Sequence, residues 1–282
     1  MKKIIIIVCI FFIEVQVSFA QEFSVDYKIQ YKYTHHSNLA AIEKSQSESL
    51  YLFTGEGQSI FINYNIAHKD EINKKIEEMI GSGYYDSDKS GEKHSNFHKQ
   101  YYKNYDLQEV WILPALEEYS YIYSEPRVPL KWTILDQEPE EFMGYSVQAA
   151  TTDFAGRNYT AWFTTEIPIA DGPHVFYGLP GLIVDVYDTE KHFRFQLEGI
   201  EKPVEELVWE MPNTQEIERS EYEGLSDGVS KMSERRTLDM IREGVAQYEN
   251  ESGGIMTTDE YLFHKRKRDN YHKKNYNQME LE

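Results

Sequence analysis

Between Lys131 and Ile200 the chain repeats strand-like stretches, some joined by connections too short to carry it across a sheet. The candidate strands are Lys131 to Leu135, Tyr145 to Phe154, Asn158 to Thr165, Leu182 to Tyr187 and His192 to Gly199. Ala155-Gly156-Arg157 links one pair and Asp188 to Lys191 links another. A parallel crossover needs about a dozen residues or more, so these neighbours must run antiparallel. This predicts an antiparallel meander as the domain core.

The N-terminal part follows the same rule. Phe23, Val25, Tyr27, Ile29, Tyr31 and Tyr33 recur every second residue, which predicts one half-buried strand over Phe23 to Tyr33. Ser49 to Phe53 and Ser59 to Tyr64 flank Gly55-Glu56-Gly57 as a hairpin. Strand character returns at Tyr101 to Val110 and Tyr119 to Ser124, before Pro126 and Pro129 impose an extended link. His68 to Met79 reads as a short helix stopped by Gly81 and Gly83, and the polar stretch Gly81 to Lys99 reads as a surface loop. Beyond Pro203 charged helix formers dominate. Ser233 to Glu243 and Thr258 to Lys274 each open on a good N-cap residue, with Gly253-Gly254 between them.

The first residues have the three-part layout of a secretory signal peptide: Lys2-Lys3, the apolar run Ile4 to Ile13, and Ser18-Phe19-Ala20 before Gln21. The apolar run is shorter than the roughly 20 residues of a membrane span. The expected organisation is a leader over residues 1–20, a β-rich domain over 21–205 and a charged, largely helical region over 206–282. The product is expected to be exported, periplasmic or outer-membrane-associated, and to have no transmembrane segment once mature. The lone cysteine, Cys9, falls in the leader, which excludes disulfides, thiolate catalysis and cysteine-bound zinc from the mature chain. Removing Lys2, Lys3 and Glu14 changes 29 basic and 48 acidic residues to 27 and 47, so the net charge moves from −19 to −20. Such a surface repels nucleic acid and anionic lipid, and no nucleic-acid partner is expected.

The sharpest local signal is Gly178-Leu179-Pro180-Gly181-Leu182-Ile183. Proline at the second and glycine at the third position of Leu179 to Leu182 meet the requirements of a type II turn. The segment lacks the Lys-Ser/Thr ending and following helix of a phosphate loop. Its residues read as a structural bend, with no catalytic role.

This hexapeptide, with Gly144-Tyr145, Ala150-Thr151, Gly156-Arg157 and Ala161-Trp162-Phe163 upstream, resembles the hallmark of the GLPGLI family of exported proteins. Members of that family often carry a cysteine near the position of Val147, which this chain lacks. The resemblance implies an α+β fold, a mainly antiparallel, curved, half-barrel-like β-sheet with a helical C-terminal region. It further implies an association with TonB-dependent transport systems, and it assigns no reaction.

Three groupings are candidates for chemistry. His35, His36, His94 and His98 are the candidate ligands for Zn²⁺ or Cu²⁺, with His94 and His98 four residues apart. They lack a His-Glu-x-x-His pattern and sit in or near polar loop sequence, so solvated histidines are the simpler reading. Asp185 and Asp188 form a conceivable carboxylate pair, although Asp188 suits the start of a turn better. The 22 Tyr, 14 Phe and 4 Trp suit a sheet face that stacks on sugar rings or covers an apolar cavity, and equally suit ordinary strand filling. The resulting expectation is a non-enzymatic binding or accessory protein of envelope transport, without a cofactor. It holds an apolar or mixed small ligand or an envelope protein partner. The alternative is a metal-binding protein or metalloenzyme built on the histidines.

Overall fold

The computed structural model describes residues 22–36, 45–82, 89–93, 95–106, 109–114, 121–126, 129–212, 214–244, 255–263 and 265–266. The leader and His94 lie outside the described residues.

Two antiparallel meanders make one sheet. The first contains β2 (Tyr27–His35), β3 (Gln46–Gly55), β4 (Gln58–Asn63), β5 (Lys99–Asn104), β6 (Glu109–Pro114) and β7 (Tyr121–Pro126). The second contains β10 (Tyr145–Phe154), β11 (Arg157–Thr164), β12 (Leu182–Asp188) and β13 (Phe193–Glu201). They are joined by antiparallel pairing of β2 with β13, where Phe195 opposes Tyr33 and the two rings stack at 4.6 Å. Short strands extend the edges. β8 (Thr133–Ile134) and β9 (Glu140–Phe142) pair with β10, and β15 (Gln215–Glu216) lies parallel to β7. The fold is α+β with an open, mainly antiparallel sheet, as the sequence predicts.

The tight hairpins share one chemistry. Glu56-Gly57, Met143-Gly144 and Ala155-Gly156 each place two consecutive residues at positive φ. Such a turn matches the right-handed twist of the flanking strands, and glycine takes its second position without steric cost.

The sheet curls. Four strand spacings separate β5 from β13, roughly 19 Å on a flat sheet at about 4.8 Å each. Yet Tyr101 of β5 and Phe195 of β13 both lie against the same His174 ring, with centroids 4.2 and 6.2 Å from it. The concave face buries Ile29, Tyr31, Tyr33, Leu50, Leu52, Phe61, Val186 and Phe195 in the main core. A second core on the opposite face of β3 to β6 collects Tyr51, Phe53, Ile60, Ile62, Tyr102 and Trp111. It is covered by α1 (Tyr64–Ala67) and by a ribbon of β1 (Glu22–Ser24) paired with β14 (Val208–Glu210). Because both faces are buried, β3 and β4 read as apolar runs rather than alternating patterns.

Three sequence expectations change. The single strand expected over Phe23 to Tyr33 breaks near Asp26, so Phe23 and Val25 enter the second core while Ile29, Tyr31 and Tyr33 stay in the main one. The cause is β1 leaving the sheet to pair with β14, which sets Phe23 opposite Trp209. The expected strand Tyr101 to Val110 is a hairpin, β5 and β6, because Lys103 and Asn104 pair with Val110 and Glu109. The helix expected from Ser233 begins at Arg219, as α3 (Arg219–Arg242), and runs through Gly224 and Gly228. Its first turn is held to β7 by Tyr222 against Tyr123 at 5.3 Å and by Arg219 against Glu125 at 2.8 Å. By contrast α2 (Lys69–Gly81) forms where expected. Near the C-terminus, Thr257 takes the cap position. Its hydroxyl accepts from the Glu260 amide at 3.3 Å, and Glu260 accepts from the Thr257 amide at 2.8 Å, a reciprocal capping box. No helix among the described residues is long and apolar enough to cross a membrane.

Candidate functional site

The segment between β11 and β12, residues 165–181, fills the concave face. Ile167, Asp171, His174, Phe176, Tyr177 and Leu179 are buried in it. An irregular segment inside a core must satisfy its own backbone, since an unpaired buried amide costs about as much as a lost hydrogen bond. It does so with tight bonds across single residues: Ile169 N to Ile167 O at 2.8 Å, Asp171 N to Ile169 O at 2.8 Å and Gly181 N to Leu179 O at 2.8 Å. Further bonds run from Phe176 N to Pro173 O at 3.0 Å and from Gly178 N to Ala170 O at 3.4 Å, and the start of β12 donates from Leu182 N to Ile167 O at 3.1 Å and from Ile183 N to Asp171 O at 3.0 Å.

The bend at Leu179 to Leu182 differs from the type II turn expected. The bond from Gly181 N to Leu179 O spans Pro180 alone, and Gly181 has φ 155, far from the value of about +80° that such a turn requires. Gly181 is needed for a steric reason instead. A Cβ there would sit 2.0 Å from Thr164 O, the end of the neighbouring strand. The hexapeptide Gly178 to Ile183 therefore closes a buried plug rather than a hairpin. The amides of Gly181, Leu182 and Ile183 are all donated within the protein.

An ion pair anchors the plug. Lys103 on β5 and Asp171 are both fully buried, with Nζ 2.5 Å from Oδ1, and Lys103 also donates to Gly172 O at 2.8 Å. The Tyr105 hydroxyl donates to the other carboxylate oxygen of Asp171. Tyr31 donates to Ile183 O at 2.7 Å, and its phenol is pushed well above the usual tyrosine range by burial, with the Asp171 carboxylate adding to the effect. Neither Lys103 nor Asp171 stands out in the sequence as a site residue. The available signal is parity: Lys103 shares the inward-facing set of Tyr101 on a short strand.

The candidate metal ligands do not converge. His35 is buried and stacks on Tyr33 at 4.8 Å, while His36 lies 6.2 Å from the ring of His192. His98 is exposed, and His94 lies outside the described residues. Among the described residues no group of three or more His, Cys, Asp or Glu side chains is placed to hold a metal ion. Asp185 and Asp188 point to opposite faces and have separate partners. Asp188 accepts from Arg157 at 3.0 Å and from Phe193 N at 2.8 Å, whereas Asp185 takes Arg194 in a two-pronged pair at 2.9 and 2.6 Å.

The outer face of β2, β13, β12 and β11 carries an open groove of about 600 Å³. Strand register builds its floor. Lys32 opposes Gln196, Gln196 opposes Asp185, and Asp185 opposes Trp162, so one row crosses four strands. Two residues along, Thr34, Arg194 and Tyr187 form a second row in the same register. Glu140, Glu141 and Phe142 of β9 flank the floor, with Val147 of β10 and Lys191 completing the lining. The Arg194 guanidinium lies 5.6 Å from the Tyr187 ring, and the Asp185 carboxylate beside it raises its pKa. A second open groove of about 610 Å³ borders Tyr177 and Gly178 at the rim of the plug.

Residues 132–185 match a family described as a protein of unknown function (Porph_ging). The match spans the strands around the plug and the whole plug itself. No curated protein matches the sequence. Two crystal forms of PNGF-II are similar in fold at 14% sequence identity. The P21 form has a TM-score of 0.50 over 73% of this chain, and the C2 form has 0.49 over 72%. The chain spans about one third of the length of these proteins, 33% and 32%. At this identity the likeness concerns the fold alone.

Proposed function

We propose that the chain is an exported, non-enzymatic protein of the GLPGLI family that serves envelope transport by binding a small ligand. The ligand is of mixed character and sits on the outer face of the sheet. The observation that carries this reading is the division of the two faces. The concave side, where a half-barrel would hold an apolar ligand, is occupied by residues 165–181, whereas the outer groove of about 600 Å³ falls within the roughly 300–1,000 Å³ of small-molecule sites. The hexapeptide Gly178 to Ile183 supports the family reading, and the leader-like start supports export. An association with a TonB-dependent transport system is part of the same proposal.

Native mass spectrometry of protein recovered from its own cell envelope tests it. The expected result is an added mass that Trp162→Ala releases while the fold, followed by circular dichroism, is kept. A bare protein mass, or an added mass indifferent to Trp162→Ala, overturns the groove as the binding site.

A further inference from the structure

We propose that the occupant of the outer groove is a neutral saccharide, a reading that rests on the groove being the binding site. The charges that line the groove balance. Lys32, Lys191 and Arg194 stand against Glu140, Glu141 and Asp185, and Asp185 is already matched by Arg194. A full charge of either sign on a ligand meets as much repulsion as attraction there. Outside the groove an anion also meets a chain whose formal net charge is −19.

The remaining surface suits a polyhydroxylated ring. Trp162 and Phe142 are half-buried and supply flat apolar area, while Arg194 covers part of Tyr187. A sugar ring has an apolar C–H face for such a platform, and a rim of hydroxyls that both donate and accept. Lysines only donate, carboxylates only accept, and Gln196 does both, so the groove offers both functions within one patch. The two rows of the floor lie about 7 Å apart along the strands, with strands about 4.8 Å apart, so polar groups recur around Trp162 and Tyr187. An acyl chain finds no such match, because six charged side chains line an open groove and would lose solvation under it.

The test is isothermal titration of the full chain with neutral hexasaccharides of glucose, xylose, mannose and N-acetylglucosamine, with oligogalacturonate as the anionic comparison. The expected result is saturable binding of at least one neutral hexasaccharide, with little change between low and high salt, since an uncharged ligand releases no counterions. Trp162→Ala weakens it by about tenfold or more, the scale of losing one ring stack. Gln196→Ala, at a polar position less critical for packing, weakens it severalfold and keeps the inference testable if the tryptophan variant does not fold. Binding of oligogalacturonate alone, with affinity falling as salt rises, overturns the neutral class. Failure of every neutral hexasaccharide to bind overturns it too. If every neutral hexasaccharide fails while an envelope-derived mass is released by Trp162→Ala, the saccharide falls and the groove stands. If no ligand depends on Trp162 or Gln196, both fall.

Discussion

Lys103 Nζ lies 2.5 Å from Asp171 Oδ1 with neither side chain exposed, joining a strand of the N-terminal meander to the segment that fills the sheet. Removing one partner of a buried pair leaves a charge without compensation, at about 3–5 kcal/mol. Lys103→Met is therefore expected to lose stability on that scale in urea unfolding. The double variant Lys103→Met with Asp171→Leu should recover most of the loss, since apolar replacement of both partners is often near neutral. A single variant within about 1 kcal/mol of the parent, the range of an exposed pair, would show that the pair does not hold the plug.

Two glycines of the same bend are expected to respond differently. Gly178 has φ 92 with open space where a Cβ would stand, so Gly178→Ala carries only the left-handed backbone cost of about 1–2 kcal/mol. At Gly181 the added carbon would meet Thr164 O at 2.0 Å and Thr164 C at 2.6 Å, both backbone atoms of the β11 end. The strand must move, and Gly181→Ala is expected to cost at least about 3 kcal/mol. Melting temperatures of the two variants check the order. Equal losses would mean that conformation alone, not contact with β11, accounts for the glycine.

Local periodicity carried much of this fold. The second meander was legible because β11 and β13 alternate and two of its turns are too short for anything but antiparallel neighbours. The break at Asp26 was not, because Phe23 and Val25 keep the same two-residue period while changing cores, and only the distant partner Trp209 redirects them. The length of α3 was hidden by Gly224 and Gly228, whose cost is offset by contacts of Tyr222 and Arg219 with β7. At the site, the importance of Gly178 to Ile183 was legible and its geometry was not. Proline followed by glycine fits several bends, and the choice was made by Thr164, which sits across the strand pair. The groove was illegible for the same reason: Lys32, Trp162, Asp185 and Gln196 become neighbours only through the register of four strands.

Acid should weaken the protein through His35. Burial lowers the pKa of this imidazole, helped by His36 and opposed by Glu48 and Gln46. The unfolded chain takes up a proton near pH 6.5 that the folded protein refuses. Stability is thus present above that pH, falls as pH drops through it, and levels off below the lowered folded value. His35→Phe retains a ring for the stack on Tyr33 and is expected to flatten the slope of unfolding free energy between about pH 7 and 5. An unchanged slope in the variant would assign the acid sensitivity to other groups.

At the alkaline end Tyr31 is expected to act in the opposite direction. Its phenol is raised well above 10 by burial first and by the Asp171 carboxylate second, with Tyr102 pushed up to about 12 by burial. The unfolded chain ionises tyrosine near pH 10 while the folded protein keeps Tyr31 neutral, so stability held below that pH declines as pH rises above it. Tyr31→Phe removes the donor to Ile183 O and is expected to cost about 1–3 kcal/mol at neutral pH. The same variant should lose stability less steeply above pH 10, by the contribution of one proton, with Tyr102 and the remaining tyrosines supplying the residual slope. Urea unfolding from neutral to strongly alkaline pH checks both halves. Parallel curves for the variant and the parent above pH 10 would place the alkaline sensitivity elsewhere, even if the neutral loss is found.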